Sequence, residues 1–418
     1  MFNIDDIKKD ASWCLNCNNK SCSVEGCPIN TDIPEFIAEV KNENYKDAYD
    51  ILMKNNVFSH ICSIVCPQEE QCEGHCVRGI KQNPVNIGKL EKFVNEWARE
   101  KDYKYSEEVK ETNGKSVALV GSGPSSLECA YELLKEGFSV TIYEKENVPG
   151  GILTYGIPDF RLDKSLVKEV IEKVENLGAT FVYGKELGKD IFVDELSKKY
   201  DAVFIGIGAE KSSMYPLTED DKKYNIYNSD EFLKAYNYEN YVKSLGTVVV
   251  IGGGNVAMDS ARAAVHMNAK KVKILYRRDK AHMPAREIEL EEAINDGVEF
   301  NECVRVISAN IENEKIVSLN CIKTEIVNGK AVDVEGSEFV ENATDVVFAI
   351  GLKPNKELLE KESIALDEWG MLNATLNGKT NIDNVFAGGD VVDNKATVCR
   401  AVAAGKRAAK SIIKMFEE

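Results

Sequence analysis

Histidine is scarce: the chain has four among 418 residues, too few for metal centres built mainly on imidazole. Long apolar runs are missing, since no stretch reaches the ~18 unbroken apolar residues of a membrane span. The opening residues, Met1-Phe2-Asn3-Ile4-Asp5-Asp6, are acidic and lack the apolar core of a secretory signal. The sequence therefore predicts a cytoplasmic protein with no membrane partner. Basic charge is also short, with 52 Lys and Arg against 69 Asp and Glu, a net charge of −17 and a pI near 5.0. A phosphate backbone would be repelled on average, so no nucleic-acid partner is expected. No low-complexity segment occurs. The hydrophobic share of 44% is ordinary for a globular chain, and at roughly 100–200 residues per domain the length suggests two to four domains.

Cysteine, by contrast, is clustered. Eight of the twelve cysteines fall between Cys14 and Cys76, and a chain of this length needs no disulfides to hold a core. In a cytosolic setting such clusters more often bind metal. The first group is Cys14-x2-Cys17-x4-Cys22-x4-Cys27-Pro28 and the second Cys62-x3-Cys66-Pro67-x4-Cys72-x3-Cys76. Cubane iron–sulfur clusters take thiolates, usually four per cluster, often beside a Cys-Pro pair. The rival is two structural zinc sites, but zinc favours C-x2-4-C knuckles and often histidine. Only His60 and His75 lie nearby. Cys129, Cys303, Cys321 and Cys399 stand alone in the sequence and read as ordinary core or surface thiols. The absence of C-x-x-C between 246 and 345 argues against a thioredoxin-reductase-type disulfide mechanism.

Residues 1–110 read as a helical region. Thr31-Asp32 offers a cap, with Pro34 near the start of the helix that follows. Ile33, Phe36, Ile37 and Val40 repeat at helical spacing, as do Tyr45, Ala48, Tyr49 and Leu52. A third helix carries Leu90, Val94 and Trp97, and the polar run Arg99–Lys115 reads as a linker. From Ser116 onward the pattern is strand–turn–helix. Strands are expected at Val117–Val120, Val140–Tyr143, Ala202–Ile207, Thr247–Ile251, Val272–Leu275, Val346–Ile350 and Val385–Ala387. That alternation predicts α/β units on a largely parallel sheet.

A strand with a glycine turn at 117–126 recurs at 247–257, giving two dinucleotide-binding units. The first turn is Gly121-Ser122-Gly123-Pro124-Ser125-Ser126. Glycine lets a phosphate approach bare backbone N–H groups, and the following helix offers its N-terminus. Glu144 ends the next strand, 23 residues after Gly121, where a carboxylate meets ribose hydroxyls. Ser126 stands where Gly or Ala is usual. The second turn is Gly252-Gly253-Gly254-Asn255-Val256-Ala257, but its second strand ends in Tyr276-Arg277-Arg278. Arginines there suit a 2′-phosphate, so the second site is read as NADPH; the alternative is solvated surface charge. Asn384-Val385-Phe386-Ala387-Gly388-Gly389-Asp390, followed by a helix from about Thr397, can put a carboxylate on a flavin ribityl hydroxyl and a helix N-terminus beside the flavin. By itself this motif reads as a plain C-terminal α/β turn. A flavin takes two electrons as hydride and clusters carry one at a time, so together they form a converter, which favours iron–sulfur over zinc.

These segments carry a resemblance. The whole chain resembles the small (β) subunit of NADPH-dependent glutamate synthase. It is similar also to the N-terminal half of dihydropyrimidine dehydrogenase and to the large subunit of electron-bifurcating transhydrogenases. The carrying residues are Cys14-Leu15-Asn16-Cys17, Val65-Cys66-Pro67, Val85-Asn86-Ile87-Gly88, the run Pro149–Leu162, Tyr276-Arg277-Arg278 with Met283-Pro284-Ala285-Arg286, and Ala387–Asp390. The resemblance implies an α-helical iron–sulfur domain at 1–110, an FAD domain in two parts at 115–213 and 353–418 in a disulfide-oxidoreductase-like arrangement, and an NADPH domain at 214–352.

It further implies one [4Fe–4S] cluster on Cys14, Cys17, Cys22 and Cys76. A second would sit on Cys27, Cys66 and Cys72, with Glu91 where relatives use a non-cysteine ligand. Cys62 is then a bystander or a replacement for Glu91, and the sequence does not decide. The 150–162 loop, with Gly151, Tyr155 and Arg161, is expected to line the flavin. The remaining cofactor contacts are expected from Gly123, Pro124, Ser125, Gly254, Asn255, Val256, Gly389 and Thr397. No substrate domain is left over and the chain opens Met1-Phe2, not with a nucleophilic cysteine, so electrons are expected to leave to a glutamate synthase large subunit. The alternative acceptors are a ferredoxin, a sulfur compound or a pyrimidine-type reductase. Two further rivals are a scaffold that no longer turns over and a zinc-stabilised flavin reductase.

Overall fold

The computed structural model describes residues 2–238 and 245–417. Met1, which begins the acidic opening, lies outside them. The chain forms two compact units. One comprises 1–153, 160–208 and 354–418, and the other 154–159 and 209–353.

The first unit begins with five helices: α1 (Ile4–Ser12), α2 (Ile33–Lys41), α3 (Tyr45–Asn55), α4 (Ser59–Val65) and α5 (Ile87–Glu100). Their apolar faces close one core around Ile7, Phe36, Ile37, Val40, Leu52, Leu90 and Val94. Each such side chain contributes about 1.5–3 kcal/mol by leaving water. Helices α1 and α4 go beyond the three expected. The cap of α2 also differs: neither Thr31 nor Asp32 closes it, and the side chain of Ser23 accepts from the Ile33 N–H at 3.1 Å. The expected linker is anchored. Tyr103 donates to Asp50 at 3.0 Å, and Lys173 Nζ pairs with Glu107 at 2.5 Å.

The same unit continues through β1 (Ser116–Val120), α6 (Pro124–Lys135), β2 (Ser139–Glu144), α7 (Ile152–Tyr155), α8 (Lys164–Asn176), β3 (Thr180–Tyr183), α9 (Val193–Lys199) and β4 (Ala202–Ile205). Tyr155, at the end of α7, already groups with the second unit. That unit holds β5 (Lys211–Ser212), β6 (Ile226–Asn228), α10 (Ser229–Asn237), β7 (Thr247–Ile251), α11 (Asn255–His266), β8 (Lys271–Leu275), α12 (Glu287–Asn295), β9 (Glu299–Asn301), β10 (Val304–Glu312), β11 (Lys315–Val327), β12 (Lys330–Asn342), β13 (Asp345–Phe348) and β14 (Leu352–Lys353). The chain then returns with α13 (Lys356–Leu359), β15 (Val385–Ala387) and α14 (Val398–Glu417).

Each unit is built on a five-stranded parallel sheet, ordered β15-β4-β1-β2-β3 in the first and β6-β13-β7-β8-β9 in the second. Buried runs such as Val117–Val120 and Val248–Ile251 suit strands covered on both faces. The second unit adds an antiparallel sheet, β10-β11-β12, absent from the parallel expectation. In the first unit, α14 lies along α6. Lys406 approaches Glu132 Oε1 at 3.2 Å and donates to the Asn55 carbonyl, tying α14 to the helical core.

Candidate functional site

Cys14, Cys17, Cys22 and Cys76 line one small cleft with the apolar side chains of Ile33, Ile37, Val85 and Ile87. The backbone N–H groups of Asn16 and Val85 donate to Cys14 Sγ and Cys76 Sγ, each at 3.5 Å. Burial pushes Cys14 up and Cys22 up to about 11. Such thiols ionise when a nearby cation holds the thiolate, and iron supplies that charge. Among the described residues, no three His, Cys, Asp or Glu side chains converge closely enough for a single metal ion. Four thiols ringing a cleft suit a centre wider than one ion, so the donor set fits a cubane.

The second group is less tidy. Cys27, Cys72 and Glu91 face one another closely enough to interact electrostatically. Burial pushes the Glu91 carboxyl up to about 7, although it accepts a hydrogen bond from Ser59 Oγ at 2.8 Å. The neighbouring Cys399 and Cys62 thiols, with burial, hold Cys66 well above the ordinary thiol range. Cys399 was expected to stand alone, and it does not. Its sulfur also lies 3.1 Å from Gln71 Nε2 and 3.4 Å from Thr397 Oγ1. Sequence spacing gave no hint of this, because Gln71 and Cys399 are 328 residues apart.

At the first glycine turn Gly121 has φ +89°, and a Cβ there would meet the Gly206 carbonyl oxygen at 2.6 Å. Gly123, by contrast, faces open space, with nothing nearer than 4.0 Å to a Cβ. It precedes Pro124, Ser125 and the free N–H groups that begin α6. That open cradle fits a pyrophosphate. Glu144 turns back onto the turn, accepting from Ser122 N at 2.9 Å, from Ser122 Oγ, and from Glu146 N at 2.9 Å. Ser122, which the sequence reading passed over, also meets Gly150 N at 3.1 Å. Gly151 packs onto Gly123.

Asp390 lies on the wall of a cavity of about 500 Å³ in the same unit. Gly388 and Gly389 are beside it, and Gly26, Cys27 and Pro28 also line the cavity. Burial pushes Asp390 up to about 7. Among the described residues its carboxyl has no hydrogen-bond partner, so it is open to a ligand hydroxyl. Thr397 contacts Cys399.

The second turn repeats the construction. A Cβ on Gly252, at φ +152°, would meet the Ala349 carbonyl oxygen at 2.2 Å, while the Cβ side of Gly254 meets only Pro284 Cγ, at 3.8 Å. Asn255 Oδ1 accepts from Arg286 N at 3.1 Å, and Ala285 N donates to Gly253 O at 3.1 Å. The Met283–Arg286 segment thus closes over the turn. Val256 lies in the first turn of α11. Arg277 and Arg278 follow β8; Arg277 is exposed and Arg278 half-buried beside Tyr276. Among the described residues neither forms an ion pair. Tyr155 packs against Tyr238, with Lys234 over its ring. Arg161 belongs to the first unit and is half-buried.

Comparison with known proteins fits this geometry. Residues 1–103 match the model for dihydropyrimidine dehydrogenase domain II, 4Fe-4S cluster. Residues 115–408 match the pyridine nucleotide-disulphide oxidoreductase model. The small chain of Escherichia coli glutamate synthase [NADPH] is 33% identical over 100% of this chain and 93% of its own length. The Escherichia coli protein AegA is 34% identical over 99% of this chain, which spans 66% of that relative. Among solved structures, Mycobacterium tuberculosis FprA in complex with NADPH superposes with a TM-score of 0.61 at 20% identity, over 72% of this chain and 85% of FprA. No helix among the described residues is long and apolar enough to cross a membrane.

Proposed function

The chain belongs to the pyridine nucleotide-disulphide oxidoreductase family, in the branch that includes the glutamate synthase small chain, and from that premise we propose that it is an electron-input component: it takes hydride from NADPH with the help of FAD and passes electrons through two [4Fe–4S] clusters to a partner protein. The observation that carries this is the cavity whose walls include Cys27 as well as Gly388, Gly389 and Asp390. It puts a cysteine of the N-terminal groups and the flavin-type turn on one space. When bound, FAD supplies a two-electron acceptor and each cluster a one-electron carrier.

The chain's own residues bind and orient. Cys14, Cys17, Cys22 and Cys76 hold one cluster, and Cys27, Cys66 and Cys72 the other, with Glu91 as its fourth ligand. Gly121, Gly123 and the start of α6 cradle the FAD pyrophosphate, Glu144 meets its ribose, and Asp390 meets a ribityl hydroxyl. Gly252, Gly254 and Asn255 do the same for NADPH, and Arg277 and Arg278 pair with its 2′-phosphate. No side chain needs to give or take a proton for hydride transfer, so orientation is the protein's contribution. The division of labour is 1–110 for the clusters, 115–213 with 353–418 for FAD, and 214–352 for NADPH, in a cytoplasmic protein. The bacterial relative's name, the small chain of an NADPH enzyme, supports both the nucleotide and a larger partner chain.

Anaerobic titration of the purified protein with NADPH and, separately, NADH tests this reading. NADPH is expected to bleach both the flavin peaks and a broad iron–sulfur band, with NADH doing so poorly. A flavin that bleaches in iron-replete protein without any iron–sulfur signal would reduce the chain to a zinc-stabilised flavin reductase. Co-purification of a stable large subunit distinguishes a glutamate synthase acceptor from a ferredoxin.

A further inference from the structure

Two arginines of α14, Arg400 and Arg407, line the cavity that Asp390 shares with Cys27. The floor between them is made of small residues, with Gly388 and Gly389 from the turn and Ala401 and Ala404 from the helix, so a flat ring can lie close to the backbone. The two arginines differ in what they do. Arg407 is tied down: its Nε donates to the Leu376 carbonyl at 3.0 Å, and the Asp393 charge acts on it. Arg400, the third residue of α14, is half-buried, and among the described residues its side chain makes no hydrogen bond and no ion pair. Three acids share the wall, and none of them answers it. Burial pushes Asp390 up to about 7, Asp393 accepts from Lys395 N at 3.0 Å, and Glu25 is exposed. In a chain of net charge −17, a half-buried guanidinium left without an acid is out of keeping with the rest of the surface. A guanidinium stays charged at any working pH.

We propose that Arg400 is the counter-ion of the reduced flavin: its guanidinium meets the negative charge that hydride brings to the ring, removes the need for a second proton, and so raises the flavin potential. The inference rests on the function proposed above. Hydride carries two electrons and one proton, so a neutral ring that accepts it is left with one negative charge. The N-terminus of α14 supplies about half a positive charge, and Arg400 adds a full one in the same helical turn. A positive charge beside the ring is a recognised way for a protein to tune flavin electronics. The cavity holds no other half-buried cation free of a partner among the described residues.

The test is a potentiometric titration of the flavin in the anaerobically purified full chain, with FAD added to saturation, for wild type, Arg400→Gln and Arg400→Lys across a range of pH. Arg400→Gln is expected to lower the flavin midpoint by roughly a tenfold shift in the two-electron equilibrium, which is about 30 mV. It is also expected to move the pH at which the reduced flavin takes up its second proton upward by about one unit, the same tenfold factor. Arg400→Lys keeps the charge and is expected to recover most of both shifts. A flavin-bearing Arg400→Gln protein with the midpoint and the proton uptake of wild type would leave Arg400 a solvated cation and overturn the proposal. Failure of both variants to take up FAD would make it part of the fold and overturn it equally. A wild type that takes up no flavin would defeat the functional reading, and this inference with it.

Discussion

At both glycine turns a Cβ would run into a carbonyl at the end of a neighbouring strand, Gly206 in the first and Ala349 in the second, while a Cβ on the glycine two places on would meet nothing nearer than 3.8 Å. Beyond the next strand the two diverge. Glu144 folds back and is satisfied by Ser122 and Glu146, whereas Arg277 and Arg278 have no acidic partner among the described residues. The first turn therefore holds its recognition charge in a fixed place before any ligand arrives. The second leaves its charge in water, to be neutralised by what binds. On the function proposed above, a shared backbone device places the phosphate, and a few residues at the end of the second strand select the nucleotide.

The comparison breaks most severely at the glycines. Gly252→Ala puts a methyl 2.2 Å from a backbone oxygen and is expected to weaken NADPH binding by more than about 30-fold, or about 2 kcal/mol, while flavin absorbance stays normal. Gly121→Ala should do the reverse and yield protein that retains little flavin. Nucleotide titration with flavin quantitation checks both, and loss of both ligands in either variant would mean the turns are not independent. Next in size, replacing Arg277 and Arg278 together by Ala is expected to lower kcat/KM for NADPH by about 10–100-fold, the worth of a charge-assisted hydrogen bond of about 1.5–3 kcal/mol. The value for NADH should hold, and an equal fall with both nucleotides would assign the arginines to the fold.

Glu144→Gln should loosen FAD by about tenfold, since one charge-assisted acceptor becomes neutral, with the NADPH constant unmoved; equilibrium dialysis against FAD measures it. The smallest effect concerns pH. Burial holds Asp390 at about 7 against an ordinary value of about 4. A carboxyl that protonates more readily when folded stabilises the fold below its unfolded pKa, and that contribution is lost as pH rises through the folded one. Flavin-stripped protein should therefore lose thermal stability between about pH 4 and about pH 7. Asp390→Asn should flatten that slope in a series of melting curves.

What could be read in advance was local. Glycine turns, an acid at the right distance and cysteine spacing are written within a few tens of residues, because the backbone conformations and ligand sets they serve are themselves local. Parallel strands such as Val248–Ile251 announce themselves as unbroken apolar runs. The antiparallel sheet did not, because β11 mixes buried with exposed positions and β12 has only half-buried and exposed ones, many of them charged, so both resemble polar connecting chain. The α2 cap was misassigned because Ser23, ten residues back, competes with the nearer Asp32. Asp32 instead meets Asn55 at 3.3 Å and Lys20 at 3.9 Å. Cys399 escaped notice for the same reason in stronger form: only the folded chain brings α14 to Cys66.

The cysteine segment that helps wall the Asp390 cavity is itself pinned. A Cβ on Gly26 would come within 2.8 Å of the Gln71 carbonyl oxygen and 2.9 Å of Cys72 Cα, so the two cysteine groups are wedged together at one point. During biogenesis this makes cofactor loading interdependent. On the function proposed above, a polypeptide made under iron starvation, with its thiols unfilled, would keep this wedge but lack the iron bridging the two groups beside the proposed flavin cavity. Flavin and iron content are then expected to fall together across preparations, and the yellow colour of a batch becomes a gauge of how well its iron was supplied.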